Sequence, residues 1–289
     1  MNWLNALVSG ILTGGLYAMY ATGLSLVFGV MRFVNLSHGD MAVGAAFVAS
    51  TIVLATGQHP FTTLAVLIPA GFAVGWLVQR LLFDRLVGAD PAYQIVATFG
   101  IAIAIQNLLL RYYSANTRSL DIGSLRSDSI RIGELSVGVF PLLRFGVAVA
   151  ILAGLSLFIS RTRVGRAFRA TSDDPETARL MGINSRTIYA IATGLGVASI
   201  AVAGVFNGAQ TNFAAADGPL LLIFAFEAVV IGGLGSLWGT LVGGVLLGVA
   251  QSLGAQWNSD YPAQLFGHLL FLVVLAIRPT GLFGAPEPT

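Results

Sequence analysis

Apolar residues run through this chain in long blocks separated by short polar breaks. The blocks fall at 4–28, 41–57, 61–83, 93–113, 139–160, 188–210, 220–235, 240–254 and 262–278. A helix crossing the hydrocarbon core of a bilayer needs about 20 mostly apolar residues, and most of the blocks approach that length. The pattern predicts an all-α polytopic membrane protein of eight or nine transmembrane helices in a single domain, 1–289. Blocks 220–235 and 240–254 are short and Gly-rich, and the stretch 29–40 is irregular. Some of these pieces are expected to be half-helices or re-entrant segments. Irregular backbone is tolerated at membrane depth only where it is buried in protein or lines a wet cavity. The first block lacks a basic flank and exceeds the core of a signal peptide, so it is expected to remain as a span.

The polar breaks carry the charge. Residues 161–187 hold Arg161, Arg163, Arg166, Arg169, Arg179 and Arg186, six of the 15 basic residues. That excess places 161–187 on the cytoplasmic side. Counting outward puts Arg80, Arg85 and Arg278 inside, 114–138 outside and the N-terminus outside. Arg118, Arg126 and Arg131 in the outer loop run against the rule, partly offset by Asp121, Asp128 and Glu134. A possible internal repeat joins Gly39 and Gly44 to Gly239 and Gly244, each pair opening an apolar run. Paired interrupted spans mark the pathway in transporter folds.

Composition supports a lipid solvent. Only 10% of residues are charged, 56% are of the AVILMFWYC set, and the mean hydropathy is +0.82. There is no Cys, which excludes disulfides, thiolate metal sites and a Cys nucleophile. All 15 basic residues are Arg. Without Lys the chain cannot by itself be a P-loop ATPase, and Schiff-base chemistry on Lys is excluded.

Three segments carry candidate chemistry. The first is Asn35-Leu-Ser37-His38-Gly39-Asp40. Asn or Ser is able to cap a helix starting at Gly39 or Asp40. The segment is either a capped cytoplasmic turn or a helix break facing a polar pathway. Glu227 lies inside the apolar run Leu220–Ile231, where ionisable groups face a bundle interior or cavity. Amides Gln106, Asn107, Asn207 and Gln210 are weaker candidates. Gly232-Gly233-Leu-Gly235-Ser-Leu-Trp-Gly239 lacks the strand–helix context of a dinucleotide fingerprint and reads as a turn or close helix contact. In the cytoplasmic loop, Ser172 or Asp173 is a candidate N-cap, Pro175 and Glu176 suit a first turn, and Gly182 is a stop. A helix of about two turns near 174–181 is expected, carrying Ala178, Leu180 and Met181 as docking contacts.

With these segments in view, the chain resembles the integral-membrane permeases of branched-chain amino-acid ABC transporters, the LivH type. Gly23-Leu-Ser-Leu-Val-Phe-Gly-Val-Met-Arg-Phe-Val-Asn35-Leu-Ser-His-Gly-Asp40 carries the match, with Gly165-Arg-Ala-Phe-Arg-Ala through Ala178-Arg-Leu-Met-Gly182-Ile-Asn184. Val230 through Gly239 and the closing Arg278-Pro-Thr-Gly281 complete it. The resemblance implies an importer subunit in the bacterial inner membrane. Its implied partners are a second, LivM-like permease, two cytoplasmic ATPases holding ATP and magnesium, and an extracytoplasmic solute-binding protein. The chain itself would bind no cofactor or nucleic acid and catalyse nothing. The docking set is Arg166, Arg169, Asp173, Asp174, Glu176, Ala178, Leu180, Met181 and Gly182. The pathway set is Asn35, Ser37, His38, Gly39, Asp40, Thr98, Asn207, Glu227, Gly232, Gly233 and Gly235. Relatives of this type import branched-chain amino acids, urea and short amides, or aromatic acids. The main rival is an ion-coupled secondary transporter using Glu227.

Overall fold

A computed structural model describes residues 3–257 and 261–284. Eleven helices follow one another: α1 (Trp3–Met31), α2 (His38–Thr56), α3 (Leu64–Leu81), α4 (Pro91–Tyr113), α5 (Val139–Arg161), α6 (Arg163–Asp173), α7 (Pro175–Leu180), α8 (Ser185–Gln210), α9 (Gly218–Gly232), α10 (Leu237–Trp257) and α11 (Ala263–Ile277). Seven segments are long and apolar enough to cross a membrane, while α9 and α11 are shorter apolar helices. Each of the nine expected blocks holds one of these nine helices. The chain is a multi-pass membrane protein.

Burial sorts the helices into a centre and a rim. The most apolar windows of α1 and α8 are each 83% buried, against 17% in α3, α4 and α5. Inside lipid there is no hydrophobic drive between helices, so close backbone approach through small residues does the packing. The α1–α10 crossing shows this. Gly10 and Gly14 of α1 meet Gly244, Val245, Gly248 and Val249 of α10, and a methyl on Gly14 would overlap the Val245 backbone. Gly75 of α3 sits against the Thr193 carbonyl of α8 in the same way.

One element departs from the all-α expectation. Strands β1 (Ser129–Ile132) and β2 (Leu135–Gly138) pair antiparallel in the outer loop, from Ser129↔Gly138 to Ile132↔Leu135. The turn is made by Gly133, at φ +63°, and Glu134. Asn5 of α1 ties the hairpin down, donating to Glu134 O and accepting from Ser136 N, both at 3.0 Å.

Two arginines of the 114–138 loop are held by the bundle. Arg118 forms a backbone bridge with Phe213. Its guanidinium donates to Ser50 at 2.9 Å and lies 4.8 Å from the Tyr113 ring centre. Arg126 donates to Gln210 O at 2.8 Å.

Candidate functional site

The segment expected to dock a partner is an elbow of two helices. α6 was not foreseen, because its residues read as part of a polar loop. It is amphipathic: Phe168 and Thr171 are buried, while Arg166 and Arg169 are exposed. Ser172 donates to the Gly29 carbonyl at 2.6 Å and fixes α6 to the end of α1. The cap of α7 is neither Ser172 nor Asp173, which belong to α6, but Asp174. Its Oδ1 accepts from the backbone N–H groups of Glu176 and Thr177 at 2.9 and 3.1 Å. Gly182, at φ +82°, ends the helix, and Ile183 N returns to Ala178 O at 3.0 Å. Ala178 is buried against the chain and is not on the outer face, whereas Leu180 is 87% and Met181 79% exposed.

The segment after α1 turns back into the protein. Arg32 takes a left-handed φ of +51°, rare for a residue with a side chain, and Phe33 is buried against Phe83. Asn35 Oδ1 accepts from the Ser37 N–H and hydroxyl, at 3.0 and 2.7 Å. α2 then starts at His38, earlier than Gly39 or Asp40, and Ser37 makes no side-chain cap. His38 Nε2 bonds the Tyr20 carbonyl at 3.0 Å. Tyr20 lies 11 residues before the end of α1, or about 16 Å along the helix. The first turn of α2 is therefore level with the middle of α1.

There it meets the start of α9. A methyl on Gly39 would overlap the Gly218 carbonyl, and one on Gly218 would overlap the Asp40 carboxylate. Two helix N-termini, each a partial positive charge, thus converge inside the bundle. Asp40 is 1% exposed and accepts from Gln106 of α4 at 2.8 Å.

A polar belt crosses the remaining helices. Tyr20 donates to Asn207 Oδ1 at 2.7 Å, and Tyr17 to Gln251 Oε1 at 2.5 Å. Arg144 of α5 is 3% exposed and donates to Gln210 Oε1 and the Leu12 carbonyl, each at 3.2 Å. Glu227 is hydrogen-bonded to His268 Nδ1 of α11. An interhelical hydrogen bond in a membrane contributes about 0.6 kcal/mol, and a charge at a helix centre costs about 2.5–3.5 kcal/mol. Glu227 avoids that cost by pairing with His268 or by staying neutral, and it faces the bundle interior, as ionisable groups inside spans do.

Other expected pathway residues lie apart. Thr98 is buried, but its hydroxyl returns to Gln94 O of its own helix at 2.9 Å. Gly232, Gly233 and Gly235 form the α9–α10 turn, where Leu282 N and Phe283 N bond Ile231 O and Gly232 O at 3.0 Å. The possible repeat does not extend to packing: Gly44 faces open space, whereas Gly244 presses on Gly14 and Ala18. Among the described residues, no group of three or more His, Asp or Glu side chains converges as a metal site.

The profile of the family described as "Branched-chain amino acid transport system / permease component" matches residues 6–277. The chain belongs to this permease family. The permease is 32% identical to the high-affinity branched-chain amino acid transport system permease protein BraD of Pseudomonas aeruginosa, covering 99% of this chain and 97% of that one. Against LivH of Salmonella typhimurium it is 29% identical over 99% and 96% of the two chains. Against the probable branched-chain amino acid transport permease protein LivH of Methanocaldococcus jannaschii it is 27% identical over 96% and 91%. Sequence reading of the permease missed Tyr17, Tyr20, Arg144, Gln251 and His268. Arg144 and His268 had a usable signal, since each is an ionisable residue inside an apolar block.

Proposed function

We propose that this chain is the membrane-spanning subunit of an ABC importer for branched-chain or related amino acids. It lies in the bacterial inner membrane, lines the translocation pathway with a second permease, and couples to two ATPase subunits. A solute-binding protein delivers substrate from outside. ATP and magnesium stay on the ATPases, and this chain catalyses no reaction itself.

The observation that carries the proposal is the α6–α7 elbow. A short helix capped at both ends projects Leu180 and Met181, which are 87% and 79% exposed, from an otherwise charged surface. Apolar residues on a rigid aqueous-facing element fit a groove on a partner. ATP-driven closure of the ATPases then moves the elbow as a unit and rocks the spans between outward- and inward-open states.

The test is Leu180→Asp with Met181→Asp in the complete transporter in proteoliposomes. The variant is expected to insert with its partner permease, to lose the ATPases on co-purification, and to lower uptake more than about tenfold. Wild-type uptake with bound ATPases would refute the docking assignment. A solute-binding partner that takes no amino acid would refute the substrate class.

A further inference from the structure

The elbow and the spans share a cavity of about 160 Å³. Phe168, Arg169 and Asp173 of α6 form one wall. Leu26 of α1, Ile159 of α5 and Leu237 of α10 form the others. A cavity of about 150 Å³ takes up a molecule the size of benzene, so the side chain of a small amino acid fits this one.

The polar groups of the cavity are sorted by depth. Ser25 lines it from α1, one turn deeper than Gly29, which accepts from Ser172. Ser25 is fully buried and its hydroxyl has no hydrogen-bond partner. Thr22 of the same helix returns its hydroxyl to the Ala18 carbonyl at 2.6 Å, and Ser25 makes no such bond. Arg169 and Asp173 stand at the exposed end, one turn apart on α6. Opposite charges at that spacing usually pair along a helix face. Here Arg169 Nη1 donates to the Ile159 carbonyl at 2.6 Å instead. Neither ion pair found among the described residues includes Asp173. One cavity thus holds a separate cation and anion at its mouth, apolar walls, and an unpaired hydroxyl at its buried end.

We propose that this cavity binds a free amino acid with a small side chain, threonine in preference to its isostere valine. Arg169 holds the α-carboxylate and Asp173 the α-ammonium. Leu26, Ile159 and Phe168 pack on the aliphatic carbons, and Ser25 pairs with the side-chain hydroxyl. A simple acid or a simple amine satisfies only one of the two charges at the mouth. Valine leaves Ser25 unpaired, and an unmade buried hydrogen bond costs binding energy. An occupant touches the elbow and the spans together, so it opposes their relative movement. Imported solute that accumulates on the elbow's side of the membrane then slows its own uptake. That feedback rests on the importer reading, whereas the ligand chemistry rests on the cavity alone.

Binding of radiolabelled L-threonine is measured on the purified permease–ATPase complex without the solute-binding protein. Saturable binding is expected, with L-valine competing several-fold more weakly. Neither 3-methylbutanoate, which lacks the ammonium, nor isobutylamine, which lacks the carboxylate, should compete. Ser25→Ala is expected to keep valine binding and to remove the preference for threonine. Asp173→Asn should weaken threonine at least about tenfold and narrow its advantage over 3-methylbutanoate. Arg169→Gln should weaken it similarly and narrow the advantage over isobutylamine instead. No saturable wild-type binding overturns the site, as does wild-type affinity and selectivity in both charge variants. A threonine preference that survives Ser25→Ala overturns it too. So does loss of the ATPases from both charge variants, which would put these side chains on the docking face. Threonine trapped with ATP on the elbow's side of proteoliposomes holding the complete transporter should lower the initial uptake of labelled leucine, and less so in Ser25→Ala. Binding with unslowed uptake refutes the feedback. Binding with no uptake at all supports the site and refutes the importer reading.

Discussion

Asp174 ends α6 and starts α7, so one carboxylate sets the angle of the elbow. The Thr177 hydroxyl, then the backbone N–H groups of Thr177 and Glu176, hold its pKa below the ordinary carboxylate value. A depressed folded-state pKa stabilises the fold above the unfolded value, and that contribution fades as pH falls through the folded one. The cap is therefore fully in place at neutral pH. Asparagine caps about as well as aspartate, and alanine does not. Asp174→Asn should keep uptake per ATP hydrolysed within about twofold of wild type, and Asp174→Ala should lower it several-fold. Equal ratios in the two variants would show that the cap is irrelevant to coupling. The sequence placed a cap here but assigned it to Ser172 or Asp173, because a run of Ser and Asp marks a helix end and a helix start alike. Arg144 was harder to read. Its partners Gln210 and Leu12 lie 66 and 132 residues away in the chain, so nothing local announced them.

Close contact between α1 and α10 depends on residues that lack a side chain. Gly14→Leu would drive a side chain into the Val245 backbone, and the two helices would have to separate. The variant is expected to lose most of its monodisperse, assembled protein on size-exclusion chromatography. Gly44→Ala meets nothing within 4 Å and should behave as wild type. If Gly14→Leu also assembles normally, that crossing does not hold the bundle together. Span positions were legible because length and apolarity are properties of a single segment. The hairpin was not, because four-residue strands in a polar loop show too short a pattern to count. Nor was the meeting of α2 with α9. It joins Gly39 to Gly218, two glycines that nothing in the sequence links.

The arginines predict which side of the membrane each loop faces, and the absence of Cys makes that prediction easy to check. Leu180→Cys should react with a membrane-impermeant maleimide only in inside-out vesicles, and Ser124→Cys only in right-side-out ones. The opposite result would invert the topology. One helix of the bundle depends on its neighbours for its depth. α9 has 15 residues, about 22 Å of helix, against a hydrocarbon thickness of about 30 Å. It begins beside Asp40, with Gly218 pressed against the start of α2. A segment that short has no depth of its own in a bilayer. It takes its place from α1 and α2, which precede it in the chain, and from α10, which follows it. The depth of this helix is thus set by its neighbours and not by its own length.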